Sequence, residues 1–162
     1  MKVLWAPWRM AYVSGEAKPA GCLFCPPPEL DRRSALIVWE SAQALVMLNR
    51  YPYASAHLLV APRKHAADPG DLTADEFNAL CRVVQRAVRL VREEYRPEGL
   101  NLGMNLGRVA GAGIADHLHW HVVPRWGGDT NFMPVLADVR VISEHLESTY
   151  DRVFARRHLL DE

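Results

Sequence analysis

Residues His117–Val123 read His-Leu-His-Trp-His-Val-Val, with a histidine at every second position of an apolar segment. Side chains alternate between the two faces of a β-strand. The segment therefore predicts a strand whose three imidazoles share one face, while Leu118, Trp120 and Val122 point into a core. Successive histidines would lie about 7 Å apart along that face. One face must then be buried and the other must line a polar site, which fixes how this strand can sit in a sheet.

The row of imidazoles also indicates chemistry. A neutral imidazole near physiological pH can act as a nucleophile, carry a proton or bind a metal ion. A partly solvated strand with one histidine would need no functional explanation. Three in strict alternation favour a site, and its candidate residues are His117, His119 and His121.

A glycine-rich segment at residues 107–113 precedes the histidines. Glycines let backbone N–H groups approach an anion closely, and successive amides can form an anion-binding nest. The alternative is a simple connection that needs positive φ angles. Beside three histidines we predict a phosphate cradle formed with Arg108, Gly111 and Gly113. Asn105, just before the loop, can donate a hydrogen bond to a phosphoryl oxygen.

Composition limits the classes of protein. The 162 residues are 49% hydrophobic, which suits one domain with a sizeable core. Lys plus Arg and Asp plus Glu both total 19, so no charge excess predicts nucleic acid or a membrane surface as partner. No apolar run reaches the roughly 18 residues of a spanning helix. Three cysteines are too few for a disulfide framework. We expect a cytoplasmic protein.

The chain alternates short apolar runs with turn residues. These runs predict five strands, at residues 35–39, 44–48, 57–61, 100–106 and 117–124. Thr73 and Glu76 form a capping box that opens a central helix, and Ser143 is expected to cap a C-terminal helix ending near His158. Residues 1–20 predict an irregular arm, and residues 139–142 a short strand. Hairpin-joined strands with two helices predict an α+β domain with a mainly antiparallel sheet.

Cys22-x-x-Cys25 has the spacing of a metal knuckle or a redox pair. A redox pair needs a helix N-terminus after the first cysteine, and the three prolines at residues 26–28 oppose one. A tetrahedral zinc needs four ligands. The spacing alone therefore leaves two alternatives, a structural zinc site and a pair of unligated thiols.

Residues 117–123 match the pattern His-φ-His-φ-His-φ-φ throughout, where φ is apolar. The chain therefore resembles the histidine triad (HIT) family, and the resemblance continues through residues 48–65, the central helix and residues 99–103. Residues 4–9, 124–126 and 128–134 are similar to the branch with diadenosine tetraphosphate phosphorylases. The resemblance implies one HIT-like domain over residues 1–162, with a five-stranded sheet, a central helix and a C-terminal helix. It also implies a homodimer.

The resemblance assigns roles residue by residue. His119 matches the nucleophile that attacks the α-phosphorus, and His57 matches a histidine that orients the nucleophilic ring. His117 and His121 would flank the phosphate, and Asn49 matches a ribose-binding position. The related galactose-phosphate uridylyltransferases close a zinc site with two histidines, which match His65 and His117 here. Trp126, directly after the triad strand, can line the phosphate or base pocket or serve packing.

The resemblance implies nucleotidyl transfer on dinucleoside polyphosphates, with inorganic phosphate as the acceptor that converts diadenosine tetraphosphate to ATP and ADP. Water as acceptor would make a hydrolase, and phosphoramidate substrates would make a phosphoramidase. A non-catalytic nucleotide sensor is an alternative of another class. A third is a catalytic metal held by the three triad histidines.

Overall fold

The computed structural model describes residues 21–129 and 144–161, which form a five-stranded sheet and two main helices. The strands are β1 (Ile37–Glu40), β2 (Ala44–Leu48), β3 (Leu58–Pro62), β4 (Gly99–Met104) and β5 (Trp120–Arg125). Their order is β1-β2-β3-β5-β4, and all neighbours run antiparallel. The helices are α1 (Ala74–Tyr95) and α2 (Leu146–Ala155). The predicted α+β class, antiparallel sheet, central helix and C-terminal helix are confirmed.

Helix α1 begins where the capping box predicts. The Thr73 hydroxyl accepts the Glu76 N–H at 3.2 Å, and the Glu76 carboxylate accepts the Thr73 N–H at 2.7 Å. These bonds satisfy two of the N–H groups that a helix start leaves unpaired. The helix ends at Tyr95, and its C-cap residue Arg96 has a left-handed φ of 47°. Its apolar side faces the sheet through Leu80, Val83, Val84, Ala87, Leu90 and Val91, all buried.

The sheet separates two apolar clusters. The larger lies between the sheet and the helices and includes alternate residues of the central strands, among them Val46, Val60 and Val122. The smaller lies on the opposite face and consists of Phe24, Ile37, Leu45, Met47, Leu59 and Ala61. Since neighbouring residues of a strand face opposite sides, the residues between those of the main core reach this second face. The triad histidines share that face.

Four of the five strands differ from prediction in their bounds, and β3 runs over Leu58–Pro62 instead of residues 57–61. Strand β5 begins at Trp120 rather than His117, because the Leu118 N–H donates to the carbonyl of Ala66, 2.7 Å away, outside the sheet. Strand β1 begins at Ile37 because Leu36 has a φ of 62° that turns the chain. Strand β4 begins at Gly99 and ends at Met104, two residues before the predicted end.

The C-terminal helix is shorter than predicted. His145 occupies the N-cap position of α2, and a 3-10 turn at Arg157–Leu160 follows the helix. Ser143, the predicted strand at residues 139–142 and the predicted arm at residues 1–20 all lie outside the described residues. Among the residues described, neither helix has the length and apolar character needed to cross a bilayer.

Candidate active site and metal centre

The histidine row has the predicted orientation. Leu118 and Val122 belong to the core under the helices, and Trp120 packs against it. The alternate positions carry the histidines on the other face, where His117 is fully buried and His119 is 5% exposed. Alternation therefore extends beyond the hydrogen-bonded part of β5. The consequence is a line of imidazoles largely withdrawn from water.

The ring of His119 is held by its own neighbour. Its Nδ1 lies 2.9 Å from the carbonyl oxygen of His117. A carbonyl can only accept, so Nδ1 carries the proton and donates it. In the neutral ring the lone pair is then on Nε2. Burial lowers the pKa of His119, while the bond to the carbonyl opposes this shift. The ring is therefore a neutral imidazole with Nε2 as its nucleophilic atom.

A second chain of hydrogen bonds ends at His121. The backbone N–H of Tyr53 donates to His57 Nδ1 at 3.1 Å, which places the His57 proton on Nε2. That Nε2 then donates to His121 Nδ1 at 2.9 Å. The His121 proton is consequently on its own Nε2. His57 thus hydrogen-bonds to His121, whose ring lies 5.0 Å from that of His119.

Burial keeps this pair uncharged. Burial, followed by repulsion from His121 and His119, lowers the pKa of His57 from 6.5 to about 3. Burial and the neighbouring His119 lower the pKa of His121 to about 4. Both groups are neutral at physiological pH, so the direction of their hydrogen bonds is fixed by tautomer alone.

The glycine-rich loop differs from a simple open cradle. Arg108–Ala110 form a 3-10 turn between Gly107 and Gly111, whose φ angles are 79° and 91°. The Gly111 N–H donates to the carbonyl of Arg108 at 3.0 Å, so this amide is engaged within the turn. The side chain of Asn105 donates to the carbonyl of Gly111 at 3.4 Å. This hydrogen bond links the loop to the residue that directly follows β4.

Asn105 and His119 adjoin the last pair of the β4–β5 ladder. Gly103 pairs with His121 and Met104 with Trp120, and Asn105 follows Met104 while His119 precedes Trp120. Arg108 is exposed, as is Gly113 at the end of the loop. Phosphate binding by Asn105, Arg108, Gly111 and Gly113 stays a prediction.

The other two predicted binding residues lie at different places. Asn49 is beside the histidines: its Nδ2 lies 3.3 Å from His57 Nδ1 and its Oδ1 accepts the Tyr51 N–H at 2.9 Å. Trp126 follows the last residue of β5, seven positions from His119. A binding role for Trp126 stays a prediction.

A cluster of metal-ligating atoms lies at the start of the triad segment. Cys22 Sγ is 3.2 Å from His117 Nδ1, and Cys25 Sγ is 3.6 Å from the same atom. Cys25 Sγ is also 3.5 Å from His65 Nδ1. All four ligand atoms lie within 4.8 Å of one another. The four residues predicted as metal ligands are therefore brought together, and they could hold a metal ion.

The donor set fits zinc. Bonds of about 2.3 Å to sulfur and 2.0 Å to nitrogen, at tetrahedral angles, separate sulfur from nitrogen by about 3.5 Å. The observed sulfur to nitrogen distances cluster around that value. His117 Nε2 donates to the carbonyl of Pro62 at 2.9 Å, so its Nδ1 lone pair points at the cysteines. A carbonyl partner of this kind is what orients a metal-binding histidine.

The alternative of a catalytic metal held by the three triad histidines gains no support. His119 uses Nδ1 on a carbonyl and His121 uses Nδ1 on His57. In the described parts of the chain, the Cys22, Cys25, His65 and His117 group is the sole cluster of three or more potential ligands of this kind.

Two residues of the site were not predicted. Phe24, between the two cysteines, is fully buried against the rings of His117 and His119. Tyr53 supplies the N–H that orients His57, and its ring lies 4.9 Å from that of His57. The single apolar aromatic residue inside the cysteine turn was an available signal for Phe24. A backbone contact such as that of Tyr53 leaves no trace in residue identity.

Comparison with known proteins agrees with this geometry. The HIT domain family matches residues 32–128. A protein of Mycobacterium tuberculosis H37Rv named AP-4-A phosphorylase is 39% identical over 155 residues, which cover 90% of this chain and 79% of that protein. The adenosine 5'-monophosphoramidase HNT1 of Candida albicans is 30% identical over 67% of this chain and 73% of its own length.

A solved structure shows the same architecture. It is a zinc-bound histidine triad family protein from Mycobacterium smegmatis, 27% identical, with a TM-score of 0.63. The match covers 93% of this chain and 92% of that one. The two chains thus share a fold.

Proposed function

The chain belongs to the HIT family and is a nucleotide-processing enzyme of that family, and from this premise we propose that it phosphorolyses diadenosine tetraphosphate to ATP and ADP. The observation that carries the proposal is the hydrogen bond from His119 Nδ1 to the His117 carbonyl. It leaves the lone pair on Nε2 of a buried, neutral ring, where it is available as a nucleophile. The similarity to the M. tuberculosis AP-4-A phosphorylase supports this choice of substrate.

In the first step the lone pair on His119 Nε2 attacks an α-phosphorus of diadenosine tetraphosphate. A P–N bond forms, the bond from that phosphorus to its bridging oxygen breaks, and ATP leaves with the electron pair. The product on the protein is adenylyl-His119. Splitting the displacement into two steps gives each a better nucleophile or leaving group.

In the second step an oxygen of inorganic phosphate attacks the same phosphorus. The P–N bond breaks, its electron pair returns to Nε2, and ADP is released. The Nε2–H of His121 is available to donate to a phosphoryl oxygen, since its Nδ1 already accepts from His57. Donors fixed before the reaction stabilise the charge that develops on phosphoryl oxygens.

The acceptor is tested by product analysis. We expect wild-type protein supplied with diadenosine tetraphosphate and phosphate to form ATP and ADP in equal amounts, and His119→Ala to form neither. His158→Ala, at an exposed position of the C-terminal turn, is the matched histidine control and should keep full activity. AMP with ATP, formed equally with and without phosphate, would instead identify a hydrolase.

We propose zinc for the cluster of Cys22, Cys25, His65 and His117, supported by its donor set and by the zinc-bound relative from M. smegmatis. A zinc ion there supplies structural cross-linking, because four protein ligands leave no open position for substrate. It would tie the cysteine turn and the segment after β3 to the start of the triad. As part of the proposed phosphorolysis, we also propose that Asn49, Arg108 and the glycine-rich loop contact the nucleotide.

We also propose that the protein is a homodimer. Strand β4 pairs only with β5 in the described sheet, so its other edge offers unpaired backbone groups. Leu102 on this strand is 48% exposed and borders an apolar cavity with Trp120 and Val88 from α1. A second copy could cover that surface. Sedimentation that shows only monomer at all concentrations would refute the dimer.

The cytoplasmic location stays a prediction.

A further inference from the structure

Phe24 lies against the nucleophilic ring. Its centroid is 4.8 Å from that of His119, with 32° between the planes, and 5.2 Å from that of His117. The side chain is fully buried, whereas Cys22 is half-buried and Cys25 is exposed. A short turn with exposed or half-buried neighbours thus places one whole aromatic ring beneath the site.

The turn that carries Phe24 is anchored on both sides. The Cys25 N–H donates to the Cys22 carbonyl at 3.1 Å, which closes the turn around residues 23 and 24. Both cysteine sulfurs approach His117 Nδ1, at 3.2 and 3.6 Å. The position of the Phe24 ring is therefore fixed relative to His117, whose carbonyl holds His119.

We infer that Phe24 is a positioning residue for the nucleophile, and that the Cys22–Cys25 turn presents its ring to His119. The inference rests on the proposed role of His119. The hydrogen bond from Nδ1 fixes one edge of the imidazole but permits the ring to tilt about that bond. Packing against Phe24 limits the tilt, because a flat ring has only a narrow range of close contact with another flat ring.

Orientation matters because Nε2 must lie in line with the bond that breaks. Loss of such alignment by about 1 Å can lower a rate about a hundredfold without removing any reacting group. Phe24 touches the two histidines and belongs to the apolar cluster behind them. Its contribution should therefore appear in the chemical step and not in substrate binding.

The test uses the full-length zinc-loaded protein with Phe24→Leu and Phe24→Met, which both remove the flat ring and keep most of the apolar volume in a branched or an unbranched side chain. Single-turnover experiments with diadenosine tetraphosphate should show formation of adenylyl-protein slowed roughly ten- to a hundredfold. KM should stay within about threefold of wild type. Nitrogen NMR of the His119 ring should show a single Nδ1–H tautomer in wild type and a mixture of tautomers in both variants. Zinc content should be unchanged.

The matched control is Leu23→Ala, which removes apolar volume from the same turn. It should leave the rate and the His119 spectrum near those of wild type. Unchanged rate and spectrum in both Phe24 variants would overturn the inference, and so would an equal loss in Leu23→Ala or a loss of zinc. If wild type forms no adenylyl-protein, the proposed function fails, while the His119 spectrum still decides the role of Phe24.

Discussion

At His119 one hydrogen bond decides which nitrogen keeps a lone pair for the proposed attack on phosphorus. The carbonyl of His117 accepts a hydrogen bond from Nδ1–H, and burial lowers the pKa of the ring, so Nε2 keeps its lone pair. The partner His121 has the opposite assignment, because His57 donates to its Nδ1. Two histidines on one face, two residues apart, are thereby given different roles: one is an electron-pair donor and the other a hydrogen-bond donor.

The buried His57 should make stability depend on acidity. Its folded pKa is about 3, against 6.5 for an ordinary histidine. As the pH falls below 6.5, the unfolded chain takes up a proton that the folded chain does not, so the free energy of unfolding decreases. The expected loss from this group is about 1.4 kcal/mol per pH unit. It should continue down to the folded pKa.

Urea denaturation between pH 7 and pH 5 measures this contribution. The free energy of unfolding is plotted against pH. The slopes of wild type and His57→Gln should differ by an amount approaching one bound proton, about 1.4 kcal/mol per pH unit, whereas the exposed His158→Gln control should have a slope similar to that of wild type. Equal slopes for wild type and His57→Gln would show that His57 is not held neutral by the fold.

Sequence spacing predicted the residues of the site better than their contacts. Alternation along a strand is a local property, so the shared face of His117, His119 and His121 was predictable. The bond from His57 to His121 joins residues 64 positions apart and depends on how β3 and β5 pair. The resemblance predicted that His57 orients the nucleophilic ring, and that role stays a prediction. The ring of Phe24 is a tertiary contact of the same unpredictable kind.

At the scale of elements, the start of the triad segment joins three parts of the chain. The cysteine turn, the segment after β3 and the residues before β5 meet at Cys22, Cys25, His65 and His117. Leu118 bonds to the carbonyl of Ala66 instead of to a strand. A metal ion held there would replace the sheet hydrogen bonds that β5 lacks before Trp120.

Removal of one ligand should expose that role. We expect Cys22→Ser to lose zinc and to lower the melting temperature by roughly 5–15 °C, because metal-binding free energy contributes to folding. Cys81→Ser on α1, outside the cluster, is the matched control and should keep zinc. Calorimetry with metal analysis checks both. A Cys22→Ser protein with wild-type zinc content and stability would rule out the site.

Elements with strong local signals were predicted closely. Strand β2 has the predicted bounds, and α1 begins directly after its predicted cap, Thr73. Boundaries failed where tertiary contacts override local pattern. Leu36 has a left-handed backbone conformation, so β1 begins two residues later than predicted. His145, and not the predicted Ser143, is the N-cap residue of α2. Serine is a favoured N-cap residue, so its identity alone predicts a cap even where the helix begins elsewhere.

At the scale of the molecule, the main hydrophobic core and the candidate active site lie on opposite faces of the sheet. The helices cover one face with the larger core, while the other face carries the histidines, the cysteine turn and the smaller apolar cluster. Strand β5 contributes to both, because its alternate side chains enter opposite faces. A substitution on the helix side should therefore change unfolding more than catalysis, and one on the histidine side the reverse.

The central claim is that His119 forms a covalent bond to phosphorus. The most direct measurement mixes wild-type protein with diadenosine tetraphosphate without phosphate, stops the reaction in alkali within one turnover, and maps the modified peptide by mass spectrometry. We predict one adenylyl group, on His119, that disappears as ADP when phosphate is added before the quench. Turnover that proceeds with no adenylyl group on the protein, or with the group on another residue, would contradict the claim.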